Sequence, residues 1–319
     1  MGGSGRQGLR FALLGAILQL TFTMKTRSSL GFVLGALLVV VSTAARAQSV
    51  GRMIGYDVLH AGGDIVGTWA APFHSTARDW LGAGAVLALS AAVSPLDDDI
   101  DRWFLAHQKD GIFSSLKEFR EGGRAFAGST ITPAALGVYI IGIATKSRGI
   151  RDGVWGCVAS YASESVVRSQ VMYRLVGRLR PDSIRGDHVQ TRSEQGDQYK
   201  FFFPGSNAWG KHSLPAGHVA NVAACASFLS HRFSNPYVTI PAYAVAAGVG
   251  VGRLVDRRHW TSDTVLGALF GYAVGKEVAQ RSRERLHRDE GADNDGNGGA
   301  ELLLGSANGG MLIGWHFAF

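Results

Sequence analysis

Apolar and polar positions alternate along this chain in blocks of helical length rather than residue by residue. Residues 80–93 form an apolar run closed by Ser94-Pro95 and the acidic run Asp97-Asp98-Asp99. Residues 130–144 repeat the pattern, with a polar helical stretch over 101–122 between them. Residues 154–179 predict a long helix that Pro181 stops. Further helices are expected over 218–231, 241–256 and 262–280. On the last of these, Gly267, Gly271 and Gly275 recur every four residues, a stripe that lets a neighbouring helix approach closely. Residues 51–75 read as an amphipathic or irregular lead-in. The expected architecture is an all-α bundle.

Two segments break the pattern. Residues 182–214 form a loop of 33 residues rich in Gly, Asp, Ser and Gln, longer than an ordinary connection. It holds Tyr199, Phe201, Phe202, Phe203 and Trp209, which fit a lid, a lipid contact or a plug folded onto the core. Residues 282–300 read as a charged, flexible linker. In it, Asp293-Asn294-Asp295-Gly296 resembles part of a calcium loop, but the twelfth position counted from Gly291 is Leu302 rather than a carboxylate. Beyond it, Gly309-Gly310 separates two strand-like runs, 301–306 and 311–319, which predict a hairpin tail.

Hydrophobic residues make up 46% and charged residues 18%, with a formal charge of +7. That charge is concentrated at the start, because residues 1–47 carry five basic residues and no acid. The remainder holds 27 basic and 25 acidic residues, a net +2, so no nucleic-acid partner is implied. Met24-Lys25-Thr26-Arg27, the apolar run 30–41 and Ala45-Arg46-Ala47 read as a signal peptide starting at Met24 and cleaved before Gln48. The competing reading is a membrane anchor over 11–41. Export places the protein in the periplasm or at the envelope membrane. The expected division is a leader over 1–47, a helical domain over 48–281, a linker over 282–300 and a strand-like tail over 301–319. The apolar runs are mostly 13–16 residues long, shorter than the ~20 needed to span a bilayer, which favours a soluble or peripheral bundle. Cys157 and Cys225 read as buried thiols, although export would permit a disulfide.

Chemistry concentrates in three segments: Gly177-Arg178-Leu179-Arg180-Pro181, Ser213-Leu214-Pro215-Ala216-Gly217-His218, and Gly252-Arg253 followed by His259 and Asp263. Arginine holds phosphate oxygens in a bidentate fork. One histidine can attack phosphorus while a second protonates the leaving oxygen. An aspartate four residues after a histidine can orient the imidazole, or it can merely cap a helix; alone, the pair reads more often as the cap. Thr261 or Ser262 is the expected cap residue of the helix that follows. No spacing of His, Cys, Asp and Glu is a convincing metal site, and neither metal nor cofactor is expected.

Together the three segments resemble the type 2 phosphatidic acid phosphatase superfamily, whose pattern is Lys-x6-Arg-Pro, then Pro-Ser-Gly-His, then Ser-Arg-x5-His-x3-Asp. Arg180-Pro181, then Pro215, Gly217 and His218, then Arg253, His259 and Asp263 match in order, and the resemblance covers about residues 80–280. It implies a helical phosphatase domain with His259 as nucleophile, His218 as acid and Asp263 bonded to His259. Arg180, Arg253 and Gly217 would hold the phosphate, helped by Arg178. The implied activity is metal-free hydrolysis of phosphate monoesters or of lipid phosphates and diphosphates through a phosphohistidine. A vanadate-dependent haloperoxidase and a non-catalytic envelope protein keeping a relic site are the alternatives. Three positions depart from the pattern: Tyr173 stands at the lysine, Ala216 at one serine and Gly252 at the other. Arg174 is the residue expected to replace the missing lysine.

Overall fold

In a computed structural model the chain is described over residues 44–115, 131–184, 187–188, 197–205, 211–293, 300–307 and 310–317. The leader up to residue 43, Trp209 and much of the 182–214 loop lie outside the described residues. The chain divides into Met1–Gly55 and Tyr56–Phe319, and all three motifs lie in the second unit.

The expected blocks are helices, with shifted ends. Helix α1 (Ala44–Ala70) occupies the lead-in, and a 3-10 turn (Ala71–His74) follows. Helix α2 (Ala77–Val93) starts at Thr76, whose side chain and that of Asp79 form a reciprocal capping box. Asp97 opens α3 (Asp97–His107), followed by α4 (Gly111–Ser115) and α5 (Ile131–Ala144). The long helix expected up to residue 179 is shorter and interrupted. It comprises α6 (Arg148–Val167), a π turn (Arg168–Met172) and α7 (Tyr173–Leu175). Val176 then turns extended, and strand β1 (Gly177–Arg178) leaves the helix axis. A short β2 (Ser183–Ile184) and β3 (Asp187–His188) pair with each other, and β4 (Phe201–Phe202) pairs antiparallel with β1.

Helices α8 (Gly217–Phe233), α9 (Pro236–Val255) and α10 (Thr261–Asp293) complete the bundle. Helix α9 begins earlier than expected because Asn235 caps it and Pro236 suits its first turn. Helix α10 runs well past residue 280, into the stretch expected to be a flexible linker. Ion pairs hold it there: Arg285 binds both Asp64 oxygens at 2.8 and 2.7 Å and Asp152 at 3.0 Å, while Asp289 pairs with Arg148. The tail is the expected hairpin, β5 (Ala300–Ala307) paired antiparallel with β6 (Gly310–Phe317).

The core runs along α8 and α10. A side-chain carbon at Gly267 would stand 2.6 Å from the Ala216 carbonyl oxygen, and carbons at Gly271 and Gly275 would collide with the carbonyls of Ala220 and Ala224. The stripe on α10 therefore packs backbone to backbone on a row of alanines on α8. Cys157 on α6 and Cys225 on α8 are joined in a disulfide, which corrects the reading of two buried thiols. The sequence shows each cysteine in an apolar stretch but not that α6 and α8 lie side by side.

Gly271→Ala forces these two helices apart and should cost about 1–3 kcal/mol of stability, read by chemical denaturation. A Gly271→Ala chain as stable as the parent would show that the close approach is dispensable. The disulfide closes a separation of 68 residues. The Cys157→Ala/Cys225→Ala pair should lose about 4 kcal/mol by the loop-closure argument, with a fall in Tm that reductant reproduces in the parent; no fall in either would refute it.

Candidate active site

The three motifs converge at one end of the bundle, where the N-termini of α8 and α10 meet the C-terminus of α9. His259 lies in the turn between α9 and α10 and is almost wholly buried. Its Nδ1 is 2.7 Å from the Ser213 carbonyl oxygen. A carbonyl can only accept, so Nδ1 carries the proton and Nε2 keeps its lone pair. Burial, then the nearby cations Arg180 and Arg253, hold the imidazole well below its ordinary 6.5, and His218 acts in the same direction. His259 is thus a neutral base with a fixed tautomer. Arg180, Arg253 and His218 lie near enough to act on it in this way.

The turn that presents His259 is held from outside. Arg257 adopts a left-handed φ of 54°, which costs a residue with a side chain about 1–2 kcal/mol. Its guanidinium grips Asp101 on α3 at 3.1 and 2.9 Å and reaches the Pro181 carbonyl at 3.2 Å. Its own carbonyl accepts from the Asp182 amide at 3.1 Å, and Arg258 pairs with Asp182 at 3.1 Å. The third motif is therefore fastened directly to the first.

Asp263 is fully buried and does not bond His259, contrary to expectation. One carboxylate oxygen accepts from the Ser213 hydroxyl at 2.5 Å and the Trp260 amide at 3.0 Å; the other accepts from Arg178 at 2.6 Å. Asp263 thus caps α10 at Trp260, in place of the expected Thr261 or Ser262 cap, and acts on His259 through Ser213. Arg178 is equally committed: it also donates to Asp97 at 2.7 Å, to Ser262 at 2.7 Å and to the Gln198 carbonyl at 2.9 Å. Asp97 in turn accepts from the Ser262 amide at 2.8 Å.

Residues 153–286 match the family model of the PAP2 superfamily. Over 67 residues, 20% of this chain, the sequence is 39% identical to a lipid A 1-phosphatase of Porphyromonas gingivalis. The match spans 15% of that relative's length. A solved structure described as the first transmembrane PAP2-type phosphatidylglycerolphosphate phosphatase, from Bacillus subtilis, aligns with a TM-score of 0.42 at 18% identity. That alignment covers 63% of this chain and 93% of the other.

Within the PAP2 segment the arginines divide differently from expectation. Arg180 and Arg253 are buried beside His259. Arg178, expected to help with phosphate, is buried among Asp97, Asp263 and Ser262 and spends its donors on protein. Arg174, expected to replace the family lysine, is exposed, and its side chain donates to Gln170 at 3.2 Å. The helix ends at Leu175, and Arg174 stays exposed on its last turn. Gly217 starts α8 with the Arg168 guanidinium against it. A cavity of about 250 Å³ between α1 and α10 contains no motif residue, and of the charges lining it Arg285 already pairs with Asp64 and Arg281 with Glu277. Asp97, Asp101 and Arg168 are the residues that sequence reasoning passed over. Asp97 was visible only as part of an acidic run that ends a helix.

Arg178→Ala strands two buried carboxylates and should cost about 3–5 kcal/mol, whereas Arg174→Ala should leave stability and turnover within about twofold of the parent. Thermal denaturation and p-nitrophenyl phosphate hydrolysis measure both. An inactive but stable Arg174→Ala chain would overturn this division.

Proposed function

We propose that this chain is a phosphatase that hydrolyses phosphate monoesters, with lipid phosphates as the substrate class, through a phosphohistidine at His259. The observation that carries the reading is the neutral, tautomer-fixed His259, whose Nε2 keeps its lone pair, near Arg180, Arg253 and His218. Nε2 attacks phosphorus while Arg180 and Arg253 hold the equatorial oxygens and neutralise their growing charge. The bond from phosphorus to the leaving oxygen breaks, and that oxygen takes a proton from His218. In the second half His218 takes a proton from water, whose oxygen attacks the phosphohistidine and releases phosphate and His259.

The lipid assignment has separate support. The stretch Ala77–His107, which includes α2, has a mean hydropathy of 1.3 with only 6% of its apolar window buried, and Pro236–Val255 reaches 1.5 with 33% buried. By length and composition both can cross a membrane. Trp80, Leu81, Leu87 and Leu89 on α2 are exposed, as are Tyr199 and Phe203 beside β4. The partial relative named a lipid A 1-phosphatase points to the same chemistry. The disulfide and the leader support export to an oxidising compartment.

The purified chain should release phosphate from p-nitrophenyl phosphate and from phosphatidic acid with EDTA present. Brief labelling should trap an acid-labile, alkali-stable phosphoenzyme that His259→Ala abolishes. Because the folded-state pKa of His259 is lowered, the acid limb of kcat/KM should fall below pH 6.5. Dependence on an added divalent ion, or a phosphoenzyme that survives in His259→Ala, would sink the proposal. Halide oxidation with peroxide and vanadate would favour the haloperoxidase alternative.

A further inference from the structure

We propose that Arg168 is a phosphate-contacting residue of this pocket and supplies the cation that Tyr173 does not. The inference rests on the phosphatase reading above. Tyr173 itself is spent as a brace. It is buried, its hydroxyl donates to the Pro215 carbonyl at 3.0 Å, and its ring stacks on His212 with centroids 4.8 Å apart.

The π turn brings Arg168 to this face. In a regular α-helix, residues five apart are separated by about 500°, which places them roughly 140° away from each other around the axis. The wider turn over Arg168–Met172 closes that angle. The Arg168 guanidinium carbon consequently lies 5.3 Å from the centre of the Tyr173 ring. From there the guanidinium reaches the start of α8. Its terminal nitrogen would be 2.6 Å from a side-chain carbon at Gly217, the residue before His218. The lack of a side chain at Gly217 makes room for it.

The rest of the side chain is aimed from behind. Glu164, fully buried, accepts from Nε at 2.6 Å and from one terminal nitrogen at 3.4 Å; that nitrogen also meets the Ser165 hydroxyl at 3.3 Å. The other terminal nitrogen, the one at Gly217, donates to the Tyr173 hydroxyl at 3.3 Å, a neutral partner. A phosphate oxygen is a stronger acceptor than that phenol. Arg168 therefore presents a pre-aimed donor edge toward the Gly217-His218 backbone, while its opposite edge is fixed by a carboxylate.

Calorimetric binding of orthovanadate tests this without requiring turnover. The Glu164→Gln/Arg168→Gln variant removes both buried charges together and should bind orthovanadate about tenfold or more weakly with Tm little changed. Adding Tyr173→Lys to that variant returns a cation to the pocket and should recover most of the affinity, which loss of a purely structural contact would not allow. If the double variant does not fold, Arg168→Lys decides, because it keeps a cation on Glu164 but loses the fork; it should show the same weakening. Unchanged affinity in whichever folded variant is used, or no recovery with Tyr173→Lys, overturns the proposal. A parent chain that hydrolyses p-nitrophenyl phosphate beside an unaffected variant defeats only the Arg168 inference. A parent that binds orthovanadate through Arg168 yet turns nothing over defeats only the phosphatase reading.

Discussion

The site depends first on the backbone contact between α8 and α10. Gly267, Gly271 and Gly275 leave no side chain between the helices, and the opposing row is Ala216, Ala220 and Ala224. Contacts this close cannot slide without collisions, because interiors tolerate little change in volume. The two N-termini are thereby fixed relative to each other, and the Ala216 amide donates to the Asp263 carbonyl at 3.0 Å. His218 opens one helix and His259 immediately precedes the other. Ala216, which departs from the family serine, is itself a member of the small-residue row.

Upon that contact sits a second constraint, a set of buried charges that satisfy one another. Asp97, Arg178 and Asp263 form a continuous array, and Arg257 with Asp101 forms another. Buried charges are costly unless paired and hydrogen-bonded. The array around Asp263 ends on the Ser213 hydroxyl, and the Ser213 carbonyl orients His259. A motif aspartate thus acts on a motif histidine through a backbone group. The division among arginines follows from the same rule. Arg178 is surrounded by carboxylates; Arg180 and Arg253, each with an aspartate nearby, also stand close to an imidazole that burial keeps neutral, and their fields reinforce that neutrality.

Much of this was legible in the sequence. Apolar blocks of helical length, closed by proline, determined an all-α bundle, and the small-residue period on α10 marked a helix contact. The order and spacing of Arg180-Pro181, Gly217-His218, Arg253, His259 and Asp263 pointed to the family. These features are local, or depend on spacing along one helix, so a linear string carries them. The hairpin tail was legible for the same reason, through turn residues between two strand-like runs.

What the sequence could not determine were the partners of polar groups across the fold. Asp97 and Arg178 are 81 residues apart, and Arg257 and Asp101 are 156 apart. Nothing local distinguishes them from solvated charges. The disulfide likewise needed α6 and α8 side by side. The length of α10 was misjudged because its charged C-terminal turns look solvent-exposed until Asp64, Asp152 and Arg148 are brought against them. Arg174 looked like the natural substitute for lysine because it is adjacent in sequence. A π turn and an early helix end reversed that, turning Arg168 inward and leaving Arg174 in solvent. Helix phase beyond such a turn depends on tertiary packing, because one extra residue per turn rotates every later side chain by about 100°. Local propensity therefore fixed which segments are helical, and only the packed bundle decided which of their side chains face the site.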